Sequence, residues 1–299
     1  FTACHPVLSR PAQIALTLRV VGGLTTAEIA RMLLVPVATV QARITRAKKT
    51  LAAARVRFEA PDPNEWGERL GAVLSVVYLV FTEGYAATSG DRWIRPDLAN
   101  EALRLGRVLA GLLPREPEVH GLLALMEFQA SRFAARVRPD GTPVLLADQD
   151  RTRWDRAQIA RGRAALRRAG STGRGLGPYG LQAAIAECHA VAPSVAETDW
   201  RRIVLLYEAL GRIAPSPVVE LNRAVAVSMA VGPAEALRIV DRLAGEQALR
   251  GSHLLPSVRG ELLARLGRVE EARAELLAAA ELAANRRERS VLLEKAAGL

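Results

Sequence analysis

Eight residues with reactive, polar or indole side chains stand within otherwise apolar or helical stretches of this sequence. They are Glu83, Asp150, Arg151, Trp154, His189, Asp199, Asn222 and Arg223. Carboxylate, imidazole and guanidinium groups could in principle perform acid–base chemistry. However, no nucleophile elbow, glycine-rich phosphate loop or metal-ligand spacing accompanies them, and the Cys-His pairs at 4–5 and 188–189 are adjacent rather than spaced as zinc ligands. We therefore expect structural networks or a partner pocket, with no enzyme activity, metal or cofactor.

The basic residues suggest a different chemistry, because their excess is concentrated at one end of the chain. The 299 residues carry 41 basic and 31 acidic side chains, a net charge of +10. Residues 1–60 hold nine of the basic residues and only two acidic ones, so one fifth of the chain carries most of the excess. Such a block usually binds a polyanion, whereas a solvated charged helix is the alternative.

Three helices are predicted within the basic block. Apolar spacing predicts a helix over 9–21 that ends at Gly22-Gly23, and Thr25 with Glu28 has the spacing of a capping box for a short helix over 26–33. Pro36 then opens a longer helix to about residue 54. A short helix, a tight turn at 34–35 and a longer basic helix are the pattern of a helix-turn-helix.

The longer helix divides into an apolar stripe and a polar face. Val40, Ile44, Ala47 and Leu51 fall on one side of the helical wheel and should pack inward. The opposite face and its flanks carry small residues that permit close approach to DNA and long cations that reach phosphates or base edges. The predicted DNA-binding residues are Thr39, Gln41, Ala42, Arg43, Thr45, Arg46 and Lys49.

The segment from Leu24 to Leu51 closely resembles region 4 of bacterial sigma factors, especially the extracytoplasmic-function group. The residues that match that family's pattern are Glu28, Ile29, Ala30, Pro36, Thr39, Val40, Arg43, Arg46 and Ala47. Leu34 and Ala38 depart from the pattern, which commonly has glycine there. Residues 1–6 and 13–19 resemble one subgroup, the sigma factors with a long C-terminal extension described as TPR-like.

The resemblance implies the partners and the location of this protein. Region 4 of such factors reads the −35 promoter element and docks on the flap of the β subunit of core RNA polymerase. Region 2 of the family is absent from this sequence, so the chain looks like the C-terminal part of such a factor. A fused extension suggests a built-in regulator that contacts the sigma domains. We expect a cytoplasmic bacterial protein without a membrane partner.

The rest of the sequence predicts a helical extension. We predict an all-α fold, with a helix-turn-helix domain over 1–57, a linker over 58–65 and a large TPR-like helical-repeat domain over 66–299. Eleven helices are predicted, over 65–87, 96–112, 116–137, 152–169, 179–191, 197–211, 215–230, 233–244, 255–266, 269–284 and 286–296. Gly232 and Gly267, each followed by a Glu-Ala pair, are 35 residues apart, which is close to the TPR period.

Two other functions fit part of this pattern. One is a one-component transcription regulator of the LuxR type with a helical sensor domain, which needs no core polymerase. The other is a TPR-like scaffold that binds only protein. The two cysteines and the lack of a long apolar run or a signal-peptide pattern speak against disulfide-rich secreted and membrane classes.

Overall fold

The computed structural model describes residues 1–33, 35–85, 94–138 and 141–299, without the Arg31 side chain. Fifteen α-helices and no β-strand occur within these ranges, which confirms the all-α fold class. The helices are α1 (Arg10–Val20), α2 (Thr26–Leu33), α3 (Val37–Ala53), α4 (Trp66–Tyr85), α5 (Pro96–Leu112), α6 (Pro117–Ala130), α7 (Phe133–Arg136), α8 (Arg156–Ser171), α9 (Pro178–Val191), α10 (Trp200–Ile213), α11 (Pro217–Ala230), α12 (Pro233–Arg242), α13 (Leu254–Arg265), α14 (Val269–Leu282) and α15 (Arg286–Ala297).

The helices predicted from periodicity are present, with one clear difference. The single helix predicted over 116–137 is instead two helices, α6 and α7, which are separated at Ser131. The Ser131 hydroxyl donates to the Phe128 carbonyl at 2.7 Å, and the Ser131 carbonyl accepts from the Asp155 backbone N–H at 2.8 Å. These bonds satisfy backbone groups outside the helical ladder, which permits the break. The predicted turn residue Leu34 lies outside the described part of the chain.

The chain forms two compact units, and the first comprises the described residues up to Pro114. In it, α1, α2 and α3 pack on one another, while α4 packs on α5 and on α1. A shared core joins the start of the chain to α4, because buried Cys4 packs with Val73 and Val76, and Leu109 of α5 lies against this cluster. The predicted linker at 58–65 is therefore not a border between compact units, and a functional border there remains a prediction.

The second unit, Arg115–Leu299, is a helical array. Helices α6, α8 and α9 pack together, and from α9 to α15 each helix packs on the next one along the chain. Gly232 and Gly267 both have positive φ, +146° and +75°, and each lies just before the second helix of a pair. The buried Ala236 and Ala272 follow them, so the two predicted repeats have similar local structure. Their assignment to the TPR class stays a prediction.

No described helix combines the length and the apolar character needed to cross a bilayer.

Candidate nucleic-acid interface

A capping box fixes the start of α2. The Thr25 backbone N–H donates to the Glu28 carboxylate at 2.7 Å, and the Glu28 backbone N–H donates to the Thr25 hydroxyl oxygen at 3.2 Å. These reciprocal bonds satisfy backbone N–H groups that a helix start leaves free. Gly23, with φ of +71°, makes the turn from α1, and the Arg19 guanidinium donates to the Leu24 carbonyl at 2.8 Å. The chain thus enters α2 in a fixed direction, as the capping-box prediction requires.

The apolar stripe of α3 anchors this helix in the first unit. Pro36 stands at the helix N-cap with extended backbone, and its carbonyl accepts from the Thr39 backbone N–H at 3.0 Å. All four residues of the predicted inward stripe are buried, namely Val40, Ile44, Ala47 and Leu51. Since these positions lie on one side of the helix, the opposite side is held outward.

The outward side of α3 is cationic. The helix carries Arg43, Arg46, Lys48 and Lys49 and no acidic residue, so no side chain of the helix itself neutralises this charge. Gln41, Ala42, Thr45, Arg46 and Lys49 of the predicted set are exposed, and Thr39 and Arg43 are half-buried.

A shallow depression runs along this face. Its lining consists of Ala38, Gln41, Ala42, Thr45 and Arg46. Ala38, Ala42 and Thr45 of this lining have small side chains, and the Arg46 Nε donates to the Ala42 carbonyl at 3.4 Å. Arg43 and Arg46 line a neighbouring groove, together with residues that precede α1 and residues of its first turn. The geometry suits a helix that inserts into a DNA groove, with cations at its flanks.

The eight polar residues singled out from the sequence do not form one network. Asp150 and Asp199 are local caps, because their carboxylates accept from the backbone N–H groups of Thr152 and Arg202 at 2.9 and 3.0 Å. Arg223 pairs with Glu220 at 2.6 Å. Asn222 is exposed on α11, and Glu83 lies in the first unit. These polar residues therefore have several separate structural roles.

Three of the eight residues do come together in the second unit. The Arg151 guanidinium lies 4.8 Å from the centre of the Trp154 ring and donates to the His189 carbonyl at 2.7 Å. Burial, followed by the charges of Arg132 and Arg151, lowers the pKa of His189 to about 4, so its imidazole is neutral at pH 7.

Arg95 is a structurally important residue that the sequence patterns did not reveal. It is 4% exposed, pairs with the Glu83 carboxylate at the end of α4 and donates to the Met32 carbonyl near the end of α2. The sequence offered only its position before Pro96, which begins α5. The contact with α2 spans 63 residues, and no local periodicity encodes such a contact.

No cluster of three His, Cys, Asp or Glu side chains in the described ranges is placed to hold a metal ion.

Comparison with known proteins finds family matches for two segments of the chain. Residues 1–51 match a family described as Sigma-70, region 4, and residues 69–170 match a family of unknown function, DUF6596. An uncharacterized protein of Rhizobium meliloti (strain 1021) is 49% identical over 285 residues, which are 95% of this chain and 67% of that protein. No solved structure matches the chain.

Proposed function

Since this chain belongs to the sigma-70 family, as an extracytoplasmic-function type factor with a C-terminal extension, we propose that it recognises promoters. In this proposal α2, the turn and α3 bind the −35 element, and region 4 docks on the β flap of core RNA polymerase. The exposed, acid-free cationic face of α3 is the observation that carries the proposal. The protein would act in the cytoplasm, where polymerase and promoter meet.

The residues of α3 would divide the work of DNA binding. Arg46 and Lys49 are exposed and long enough to reach phosphates or base edges, and Arg guanidinium groups commonly recognise guanine in the major groove. Gln41 and Thr45 would hydrogen-bond base edges, while Ala38 and Ala42 would leave room for the groove wall, and all four residues line the same depression. Thr39 and Arg43 are half-buried at the sides of the exposed face of α3, and they would contact the phosphate backbone of the DNA.

We further propose that the extension regulates this module. Its first two helices, α4 and α5, lie in the same compact unit as α1–α3. Arg95 joins them to the end of α2, and the Arg104 guanidinium of α5 donates to the Val21 carbonyl at 3.2 Å, next to the α1–α2 turn. Such contacts support an extension that sets the position of α2 relative to α1.

The DNA-binding part of the proposal is tested with a −35 duplex over a salt series. Arg46→Ala and Lys49→Ala should each weaken binding, by about 1–3 kcal/mol where the side chain reads a base. A position that contacts only phosphate should also flatten the dependence of affinity on salt. Arg57→Ala is the matched control, because Arg57 is a cation of the same unit with an 82% exposed side chain outside α3. Unchanged affinity in both α3 variants would contradict the assignment of this face.

Binding to core RNA polymerase distinguishes a sigma factor from the two alternative functions. A sigma factor should be retained by immobilised core RNA polymerase, whereas a one-component regulator or a protein-only scaffold should not. Deletion of 64–299 from the factor, which removes α4 and α5 together with the second unit, should alter transcription from the cognate promoter if the extension regulates. Unaltered transcription after this deletion would remove the regulatory role from the extension.

A further inference from the structure

One cluster of side chains in the second unit has hydrogen-bonding capacity that the protein does not use. Arg151 links the other two residues, because its guanidinium lies over the Trp154 ring and donates to the His189 carbonyl, and the rings of His189 and Trp200 lie edge to face with centres 5.2 Å apart. Arg132 approaches the same Trp154 ring, its guanidinium carbon 5.9 Å from the ring centre. Two guanidinium groups therefore lie against the Trp154 ring, and the Trp200 ring lies against the His189 imidazole.

Three buried polar atoms of this cluster lack a partner. Throughout the described part of the chain, no group hydrogen-bonds to Arg151 Nη2, Trp154 Nε1 or His189 Nδ1. Trp154 is 2% exposed and Arg151 is 7% exposed, so bulk water does not satisfy their N–H groups. Burial of an unsatisfied donor is unfavourable, and most buried polar groups in proteins have partners. The two donors belong to neighbouring side chains, because the Arg151 guanidinium carbon lies 4.8 Å from the centre of the Trp154 ring.

The charge of Arg151 is the second, independent observation. Its Nη1 donates to the carbonyls of His189 and Ala192 at 2.7 and 2.8 Å, which are neutral groups. Within the described ranges Arg151 forms no ion pair, and the carboxylate that acts on its charge is that of Glu197, which is exposed. Burial, followed by the charge of Arg132, lowers the pKa of the Arg151 guanidinium. A buried cation without a counter-ion is costly, and a bound anion would remove that cost.

We propose that Arg151 and Trp154 form a binding site for a small oxyanion group, either a carboxylate or a phosphate. The Arg151 Nη2 and Trp154 Nε1 groups donate to the oxyanion, and hydrogen bonds to an ionised acceptor are stronger than those between neutral groups. Arg132 and His189, which belong to the same cluster, are half-buried. The neutral His189 leaves one further nitrogen available for a protonated ligand oxygen or a bridging water. The site goes beyond the proposed promoter function, because none of its residues lies in the helix-turn-helix.

The experiment uses the full chain and two simple probes, sodium acetate and sodium phosphate. Each is titrated calorimetrically at neutral pH, with ionic strength held constant by sodium chloride. The variants are Arg151→Gln, which removes the charge, and Trp154→Phe, which keeps an aromatic ring but removes the N–H. Arg163→Gln is the matched control, because Arg163 is an arginine of the same unit with a 53% exposed side chain that pairs with Glu187 at 3.2 Å.

The wild-type chain should bind one of the two probes saturably. Arg151→Gln should weaken that affinity roughly tenfold or more, Trp154→Phe should weaken it roughly threefold or more, and Arg163→Gln should leave it unchanged. Circular dichroism establishes that each variant is folded, and if Arg151→Gln does not fold, Trp154→Phe decides. Heat that rises in proportion to salt for both probes would overturn the site and indicate ordered water as its occupant. Equal affinity in wild type and in the folded variants would overturn it as well. Neither failure would affect promoter binding, which has a separate readout.

Discussion

Replacement of Arg95 by Met should loosen the first compact unit while the second stays intact. Methionine keeps much of the apolar stem of arginine but removes the guanidinium. The variant therefore deletes the ion pair with Glu83 and the hydrogen bond to the Met32 carbonyl. Glu83 lies in α4 and Met32 lies in α2. Loss of the two contacts therefore weakens the attachment of α4–α5 to the helix-turn-helix.

The magnitude follows from the burial of the two partners. Loss of one member of a fully buried ion pair costs about 3–5 kcal/mol. The Glu83 side chain is 25% exposed, and water can partly solvate its carboxylate after the change, which reduces this contribution to about 2 kcal/mol. The Met32 carbonyl adds about 1 kcal/mol for a lost hydrogen bond. We therefore expect the first unit to open more readily by about 3 kcal/mol, which corresponds to a factor of about 150 in the opening equilibrium constant.

The two cysteines report on the two units separately. Both cysteines are 3% exposed. Cys4 packs on α4 in the first unit, and Cys188 belongs to the core of the second unit. Burial raises the pKa of both thiols, so each reacts mainly when its surroundings open. Labelling with a thiol reagent, read by peptide mass spectrometry, should accelerate about 100-fold at Cys4 in Arg95→Met and remain unchanged at Cys188.

Arg104→Met is the control for this prediction. Arg104 also belongs to α5 and also donates to a backbone carbonyl, that of Val21 at the end of α1, but its side chain is 49% exposed, whereas that of Arg95 is 5% exposed. Because water reaches the Arg104 guanidinium, its pair with Glu101, whose side chain is 12% exposed, should contribute less than the Arg95 contacts, about 1 kcal/mol. If Cys4 reacts in Arg95→Met no faster than in Arg104→Met, burial of the guanidinium does not hold α4–α5 in place, and the reasoning is refuted.

Three further predictions concern the second unit. The pKa of His189 is lowered in the folded state, so its contribution to stability should be present above pH 6.5 and disappear as pH falls towards 4. In urea unfolding at a series of pH values, the free energy of unfolding should fall less on acidification in His189→Gln than in the wild type. His253 should show the opposite pH dependence, because the hydrogen bond to the Glu288 carboxylate raises its pKa. Its contribution to stability is full below pH 6.5 and is lost as pH rises through the folded-state pKa. His253→Gln should abolish this dependence of the free energy of unfolding on pH. Gly121→Ala would place a Cβ 2.6 Å from the backbone nitrogen of Gly180 and should lower the free energy of unfolding by about 1–3 kcal/mol, whereas Gly211→Ala, in open space on α10, should be neutral or stabilising in the same denaturation assay.

Local patterns predicted the helices because the signals that start and stop a helix are themselves local. The Thr25–Glu28 capping box, the α1–α2 turn at Gly22-Gly23 and Pro36 at the head of α3 all lie within a few residues of the ends they define. The buried stripe of α3 follows from the 3.6-residue period alone. The break at Ser131 was missed, because the bond to the Asp155 backbone that accompanies it comes from a residue 24 positions later.

The amino-acid sequence by itself determined the all-α fold, the order of the helices, the cationic face of α3 and the resemblance to sigma region 4. Each depends on residue type and on spacing within one or two helical turns. Only the tertiary structure decided which polar residues meet. It divided the predicted polar network into caps, ion pairs and the Arg151–Trp154–His189 cluster, and it brought Arg95 to Met32 across 63 residues. Contacts at such separation depend on how the helices pack, because periodicity fixes the face on which a side chain lies but not the partner that it finds there.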